Sequence, residues 1–424
     1  MNDLREQLAY LRRKVQQINQ KFAAPSVSEP RPPSAPHSVE DYFPLRYFTD
    51  EYMSGEVVET PCGTHFETEK LYPRQRRHGI MDLSNLHELP DDLLQPLLEG
   101  FTRKVPPARW AFLDTETTGL ATGPGTYAFL IGVGRICQDG FRVRQFFMRD
   151  FSEEPSLLHA LNEHLADFEI LITYNGKSYD QPLLETRFLM ARRKPPFARL
   201  AHLDLLFGAR RIWKLRLERC RLVDLENEIL GVIREGDLPG EMIPYVYFEY
   251  LRSRQARHLV PIFHHNAMDI LTLACLTGIV PWAFRAPEEA PLSHGADWLG
   301  LARWLLNAGR QTEALCLLRK AVEMRLPDEL LFRALWDIAT LEKRMGHYDA
   351  AVAALNDLAT PQNPYRVQAL EELAKHYEHR ERNYEMALEC TRNALRLKES
   401  EPLLRRAARL KERLSRPQAQ RLHI

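Results

Sequence analysis

Apolar residues recur along this chain in three successive rhythms. At the start, Leu4, Leu8, Leu11, Val15 and Ile18 are spaced by three and four, which predicts an amphipathic helix over about 1–23. That face fits packing on the rest of the protein or against a partner helix, and it is too short to define a coiled coil. Residues 24–40 are rich in Pro and Ser and read as a flexible linker. Residues 41–105 read as a small mixed module of unknown role, with a strand-like Glu56-Val57-Val58-Glu59-Thr60 and a turn at Pro61-Cys62-Gly63. From 106 to 285 the rhythm shifts to short apolar runs. Arg109–Leu113, Tyr127–Ile136, Phe141–Met148 and Glu169–Thr173 predict strands, with a tight turn at Asp139-Gly140 between the second and third. Leu157, Leu158, Leu161 and Leu165 lie on one face of a helix predicted over Pro155–Phe168. Further helices are expected near 181–192, 222–230, 241–252 and 264–279. Three strands in hairpin order, then helix, strand and helix, describe an α/β domain with a mixed sheet.

A Pro- and Glu-rich linker at 286–295 leads into a third rhythm over 296–415, which is wholly helical. Gly309 precedes Ala314 by five residues, and Gly346 precedes Ala351 by five. Tyr384 and Ala387 repeat the Tyr348–Ala351 spacing without the glycine. The period is slightly above that of a tetratricopeptide repeat, about 34 residues, so three degenerate helix pairs of that kind are expected. A protein partner is the expected ligand of such a surface.

Composition narrows the function classes. The 424 residues carry 57 Lys and Arg against 57 Asp and Glu, a net charge of zero, so nucleic acid binding would need a local basic surface. Six cysteines are scattered without a CxxC pair, which suits reduced thiols in the cytoplasm. No stretch reads as a signal peptide or as a bilayer span, and no membrane association is expected.

The chemistry lies in three acidic elements. Asp114 and Glu116 end the first central strand two residues apart, so both carboxylates face one side. Crowded carboxylates repel unless a cation sits between them, and all-oxygen sites suit Mg²⁺ or Mn²⁺. Tyr174-Asn175-Gly176-Lys177-Ser178-Tyr179-Asp180 follows the fourth strand, where Asp180 alternatively caps the next helix. His264-His265-Asn266-Ala267-Met268-Asp269 opens an apolar helix, and His265 shares a face with Asp269. Between the second and third elements, Arg210, Arg211, Lys214, Arg216, Arg219 and Arg221 surround Trp213. Arg211, Trp213 and Lys214 suit a single strand by phosphate contact and base stacking, or else form a solvated face over a buried tryptophan.

Asp-Thr-Glu-Thr-Thr-Gly at 114–119, Tyr-Asn-Gly-Lys-Ser-Tyr-Asp at 174–180, His-Leu-Asp-Leu-Leu at 202–206 and His-Asn-x-x-Asp at 265–269 together resemble the DEDD 3′–5′ exonucleases. Among these the chain is most similar to the YprB-like, ribonuclease H-like proteins, as is Gly236-Asp237-Leu238-Pro239-Gly240 with Ile243-Pro244. The resemblance implies a ribonuclease H-like mixed sheet flanked by helices. It implies four metal-binding acids, Asp114, Glu116, Asp180 and Asp269, and two divalent cations that clamp a scissile phosphate. It also implies a single-stranded DNA or RNA substrate digested from its 3′ end. The fifth catalytic position falls on His264 or His265, the helical face favouring His265. Thr117, Asn175 and Tyr179 are expected to contact the terminal nucleotide, and Asp204 is expected to be structural.

Overall fold

A computed structural model of the protein describes residues 49–119 and 123–415, so the expected N-terminal helix and linker lie outside the described residues. The described chain divides into two compact units, the first formed by residues up to Gly208 with Arg221–Trp282, the second by Ala209–Cys220 with the chain from Ala283.

The first unit is built on a seven-stranded sheet. Its strands are β1 (Gly55–Thr60), β2 (Gly63–Pro73), β5 (Trp110–Thr117), β6 (Ala128–Cys137), β7 (Gly140–Phe147), β8 (Ile170–Thr173) and β9 (Ala201–Asp204). Two-residue strands β3 (Arg77–His78) and β4 (Met81–Asp82) pair separately. The sheet order is β1-β2-β7-β6-β5-β8-β9, antiparallel from β1 to β5 and parallel from β5 through β8 to β9. Trp110, Ala111, Phe112 and Leu113 are all buried, as befits a central strand covered on both faces. The β6–β7 hairpin closes at Asp139-Gly140 as the sequence predicts, with Cys137 paired to Gly140.

The described part of the expected 41–105 module, residues 49–105, does not stand apart from the central sheet. From Phe66 to Pro73, β2 pairs with β7, so β1 and β2 extend the central sheet. The boundary expected near 106 therefore cuts through one sheet. The strand alternation of β2 is masked because His65 and Glu67 are buried polar residues. His65 bridges Ser156 at 2.9 Å and Glu67 at 2.8 Å, and Ser156 also meets Thr60 at 2.8 Å, so the buried groups satisfy one another.

Helices α1 (Glu154–Leu165), α2 (Asp180–Met190), α4 (Leu222–Leu225) and α5 (Ile243–Ser253) belong to this unit, with α3 (Leu205–Trp213) as far as Gly208 and α6 (Val260–Arg285) as far as Trp282. Pro155 stands in the first turn of α1, where its missing N–H costs nothing. The helical span Ala256–Arg285 is long and apolar enough to cross a bilayer, contrary to the expectation from sequence. Most of it is buried in the protein, which accounts for its apolarity as a core helix. Gly132 and Gly134 on β6 let it approach: a Cβ on Gly132 would stand 2.2 Å from Asn266 Oδ1 and 2.3 Å from Ile270 Cδ1.

The second unit is all-helical: α7 (Gly295–Asn307), α8 (Gln311–Glu323), α9 (Asp328–Met345), α10 (Tyr348–Ala359), α11 (Arg366–His376), α12 (Tyr384–Leu397) and α13 (Glu401–Ser415). The expected repeat appears as three successive helix pairs. Ala314, Ala351 and Ala387 occupy the fourth position of α8, α10 and α12, and all three are buried. The turns before these helices place Gly309, Gly346 and Arg382 at φ 81°, 85° and 56°. The third repeat thus keeps the left-handed turn with an arginine where the first two have glycine.

Candidate active site

Four acids come from three elements of the first unit. Asp114 and Glu116 sit near the end of β5, half-buried on one face, while Thr115 and Thr117 are buried on the other. Asp114 is opposite Gly132, and that glycine lets Asn266 reach it: Asn266 Nδ2 donates to Asp114 Oδ2 at 2.8 Å. Asp180 is the first residue of α2, and the preceding Tyr179 makes no side-chain cap, so Asp180 is not the helix cap. Its carboxylate instead accepts from Thr115 Oγ1 at 2.5 Å. Asp269 lies on α6 one turn after His265 and is bound by Arg234 at 2.5 Å.

The electrostatics show that the acids feel one another. Burial raises Asp114 well above the usual carboxylate range, and the charges of Asp269 and Asp180 push it further. Glu116 is also raised well above its ordinary value, by burial first and then by Asp114, Asp269, Asp180 and Asp237. Burial lifts Asp180 to about 6 against the opposing hydrogen bond from Thr115.

In donor chemistry and charge this cluster fits a hard divalent cation. The carboxylates are nonetheless not converged: among the described residues no three His, Cys, Asp or Glu side chains stand together as a ready ligand set. The reason is visible in the contacts. Asp114, Asp180 and Asp269 are each turned onto a different donor, Asn266, Thr115 and Arg234.

The two histidines are placed differently. His264 is exposed, and partial shielding of its ring from water, followed by the charge of Lys70, lowers its pKa. His265 is half-buried, with Nδ1 2.9 Å from Asp237 Oδ2 and Nε2 3.6 Å from Asp269 Oδ2. Burial opposes its charge, but the Asp237 hydrogen bond and the charges of Asp269 and Asp237 raise its pKa. Asp237 is in turn held below the usual range, against burial, by the His265 hydrogen bond and by the charges of His265 and Arg234.

The other expected residues take supporting places. Asp204 accepts three backbone amides, Asn175 at 2.8 Å, Lys177 at 3.1 Å and Leu206 at 3.1 Å, and so anchors the loop leading to Asp180. Asn175 adopts a left-handed φ of 66°, a conformation asparagine tolerates well. Thr117 Oγ1 and Tyr179 Oη both donate to the Gly119 carbonyl, at 2.7 and 2.6 Å, so they shape the turn after β5. The basic run departs most from expectation, since residues 209–220 belong to the second unit. There Trp213 is fully buried and offers no ring face to a base, while Arg211 stacks over Trp304. Lys214 is exposed and its amine meets the Glu218 carbonyl. Close packing explains the arrangement: Gly300 lies so near the Arg211 and Ile212 carbonyls that a Cβ there would approach them to 2.5 and 2.3 Å.

Comparison with known proteins agrees with this geometry. Residues 111–280, which span all four acids, match the model of the RNase_H superfamily family RNase_H_2. The chain is 32% identical over 382 residues to the uncharacterised protein YprB of Bacillus subtilis, covering 87% of this chain and 88% of that protein. The chain belongs to the YprB family of RNase H-like proteins. The match to YprB reaches well beyond the RNase H-like part, so the family includes much of the helical region as well. RNase H-like domains are typically nuclease folds that act on nucleic acid with divalent metals, which fits the oxygen-only acid cluster found here.

Arg234, Asp237, Glu226, Thr115 and Asn266 escaped assignment from sequence. Asn266 lay inside a recognised motif, and Asp237 inside a stretch noted only for its likeness to the family. Arg234 and Glu226 carry no periodic or spacing signal at all.

Proposed function

We propose that this chain is a metal-dependent 3′–5′ exonuclease acting on single-stranded nucleic acid. The observation that supports it is that three elements of an RNase H-like fold bring Asp180 and Asp269 close enough for their charges to add to burial in raising Asp114 and Glu116. Those four acids would hold two divalent cations, Mg²⁺ or Mn²⁺. When bound, such ions supply positive charge that offsets the carboxylates and the charge building on the scissile phosphate. His265, rather than His264, would take the proton of the attacking water, a reading supported by its Nε2 lying 3.6 Å from Asp269 while Nδ1 is held by Asp237. The water oxygen forms the new bond to phosphorus, the P–O3′ bond breaks, and the departing 3′-oxygen takes a proton from solvent. Thr117, Asn175 and Tyr179 act through the shape of the loops that face the terminal nucleotide. The helical unit is the surface for a protein partner.

Purified protein given end-labelled single strands with Mn²⁺ or Mg²⁺ is expected to shorten them from the 3′ end. The Asp114→Ala, Glu116→Ala double variant is expected to leave them intact, and equal activity in that variant sinks the assignment. The clasp of Arg234 on Asp269 favours a second reading, a nucleic acid-binding scaffold without catalysis. Calorimetry separates the two: no heat of binding at millimolar Mn²⁺ supports the scaffold.

A further inference from the structure

The loop between Gly231 and Gly240 enters the acid cluster through two side chains. Its first glycine ends a single π-helical turn, Glu226–Leu230, in a left-handed conformation. Beyond it Arg234 is 7% exposed and spans three carboxylates: Glu226 at 2.7 Å, Asp237 at 3.3 Å and Asp269 at 2.5 Å. Glu226 is fully buried and accepts from Thr272 at 3.0 Å, so the arginine is anchored from the core side.

Asp237 has both oxygens committed. Oδ1 accepts from the Leu238 amide at 3.0 Å, and Oδ2 faces His265 Nδ1 at 2.9 Å. An ionised carboxylate only accepts, so the hydrogen of that contact is on Nδ1. In the neutral ring the lone pair is then on Nε2, the nitrogen 3.6 Å from Asp269.

We propose that Asp237 is the positioning residue for His265, fixing its tautomer and ring plane, and that Arg234 fastens the loop that carries it to the acid cluster. The proposal rests on the nuclease reading for its catalytic consequence, but the tautomer is a property of the folded chain. A second carboxylate behind a working histidine is a general device for holding one tautomer.

Two measurements on the full-length protein test it. In ¹⁵N-histidine-labelled protein at pH 8.5, His265, assigned by its loss in His265→Gln, is expected to carry its proton on Nδ1. In Asp237→Ala it is expected to shift toward the Nε2-protonated form. An unchanged His265 tautomer in Asp237→Ala overturns the proposal. Should that variant fail to fold, Asp237→Ser keeps a small polar side chain in the loop and carries the same comparison. In the nuclease assay, Asp237→Ala is expected to lower kcat by roughly 10- to 100-fold with KM and Mn²⁺ affinity unchanged. Asp237→Asn, which keeps an acceptor oxygen, is expected to recover part of that loss. The Asp237→Ala, His265→Ala double variant is expected to be no slower than His265→Ala alone. Full additivity in that cycle overturns the proposal. Wild-type protein that digests no strand defeats the nuclease reading, and the tautomer then decides the Asp237–His265 pairing by itself.

Discussion

Replacing Asp180 by Asn is expected to make the metal-free protein more stable. Asp180 is 6% exposed and its pKa is lifted from 3.8 to about 6. A folded pKa above the unfolded one means that the native state binds more protons across that interval. The stability this contributes is present below about pH 4 and lost as pH rises through about 6. Above that, the ionised carboxylate costs about 2 pKa units at 1.36 kcal/mol each, roughly 3 kcal/mol. Asparagine carries no charge, and its carbonyl still accepts from Thr115. One unsatisfied amide donor takes back about 1 kcal/mol, leaving a gain of about 2 kcal/mol. For a unit of this size that is a rise in Tm of roughly 4–8 °C. Thermal melts in EDTA at pH 8 and pH 5 measure it, and the gap between variant and wild type should narrow at the lower pH. Added Mn²⁺ should then raise the wild-type Tm more than that of the variant. A variant no more stable than wild type at pH 8 in EDTA, or a gap independent of pH, refutes the reasoning that links burial, repulsion and metal demand.

Three further outcomes follow from the packing. Gly132→Ala places a methyl group against Asn266 and Ile270, so it should cost about 1–3 kcal/mol in chemical denaturation and lower activity without altering any acid. Arg382 holds a left-handed φ of 56° where the other repeats use glycine, so Arg382→Gly should stabilise the helical unit by up to about 1 kcal/mol in urea melts. Trp213→Ala empties a fully buried site and should cost about 3–5 kcal/mol, whereas Arg210→Ala on the exposed face should leave stability nearly unchanged.

The parts of the fold that were legible are those where one periodicity dominates. The apolar runs of β5, β6, β7 and β8 and the leucine face of α1 announced themselves because their burial follows their pattern. β2 did not, because two of its inward residues, His65 and Glu67, are polar and are satisfied by each other and by Ser156 and Arg144, which are far away in sequence. β9 is four residues long and runs straight into α3, so no turn residue marks the join. The basic run after it suggested a nucleic acid surface. Charge count along the chain says nothing about which side of a helix is covered, and here Ile212 and Trp213 are the covered side.

The site was legible to the same degree and for a related reason. Asp114 and Glu116 near the end of β5 and Asp180 at the start of α2 stood out because element ends are readable, whereas Asp269 lies inside α6 and stood out through its spacing from His265. The groups that hold those acids need only reach them in space. Thr115 is adjacent to Asp114 yet serves Asp180 from the other face of the strand, and Arg234 lies 35 residues from the Asp269 it clasps. This second layer decides the resting state of the site. Arg234 pairs with three carboxylates, Glu226, Asp237 and Asp269, so its single fixed positive charge does not neutralise even the groups it touches. Arg234 orders the cluster from the Asp269 side, and the burial and carboxylate repulsion that still raise Asp114 and Glu116 are the physical reason a metal ion is expected to bind among the four acids.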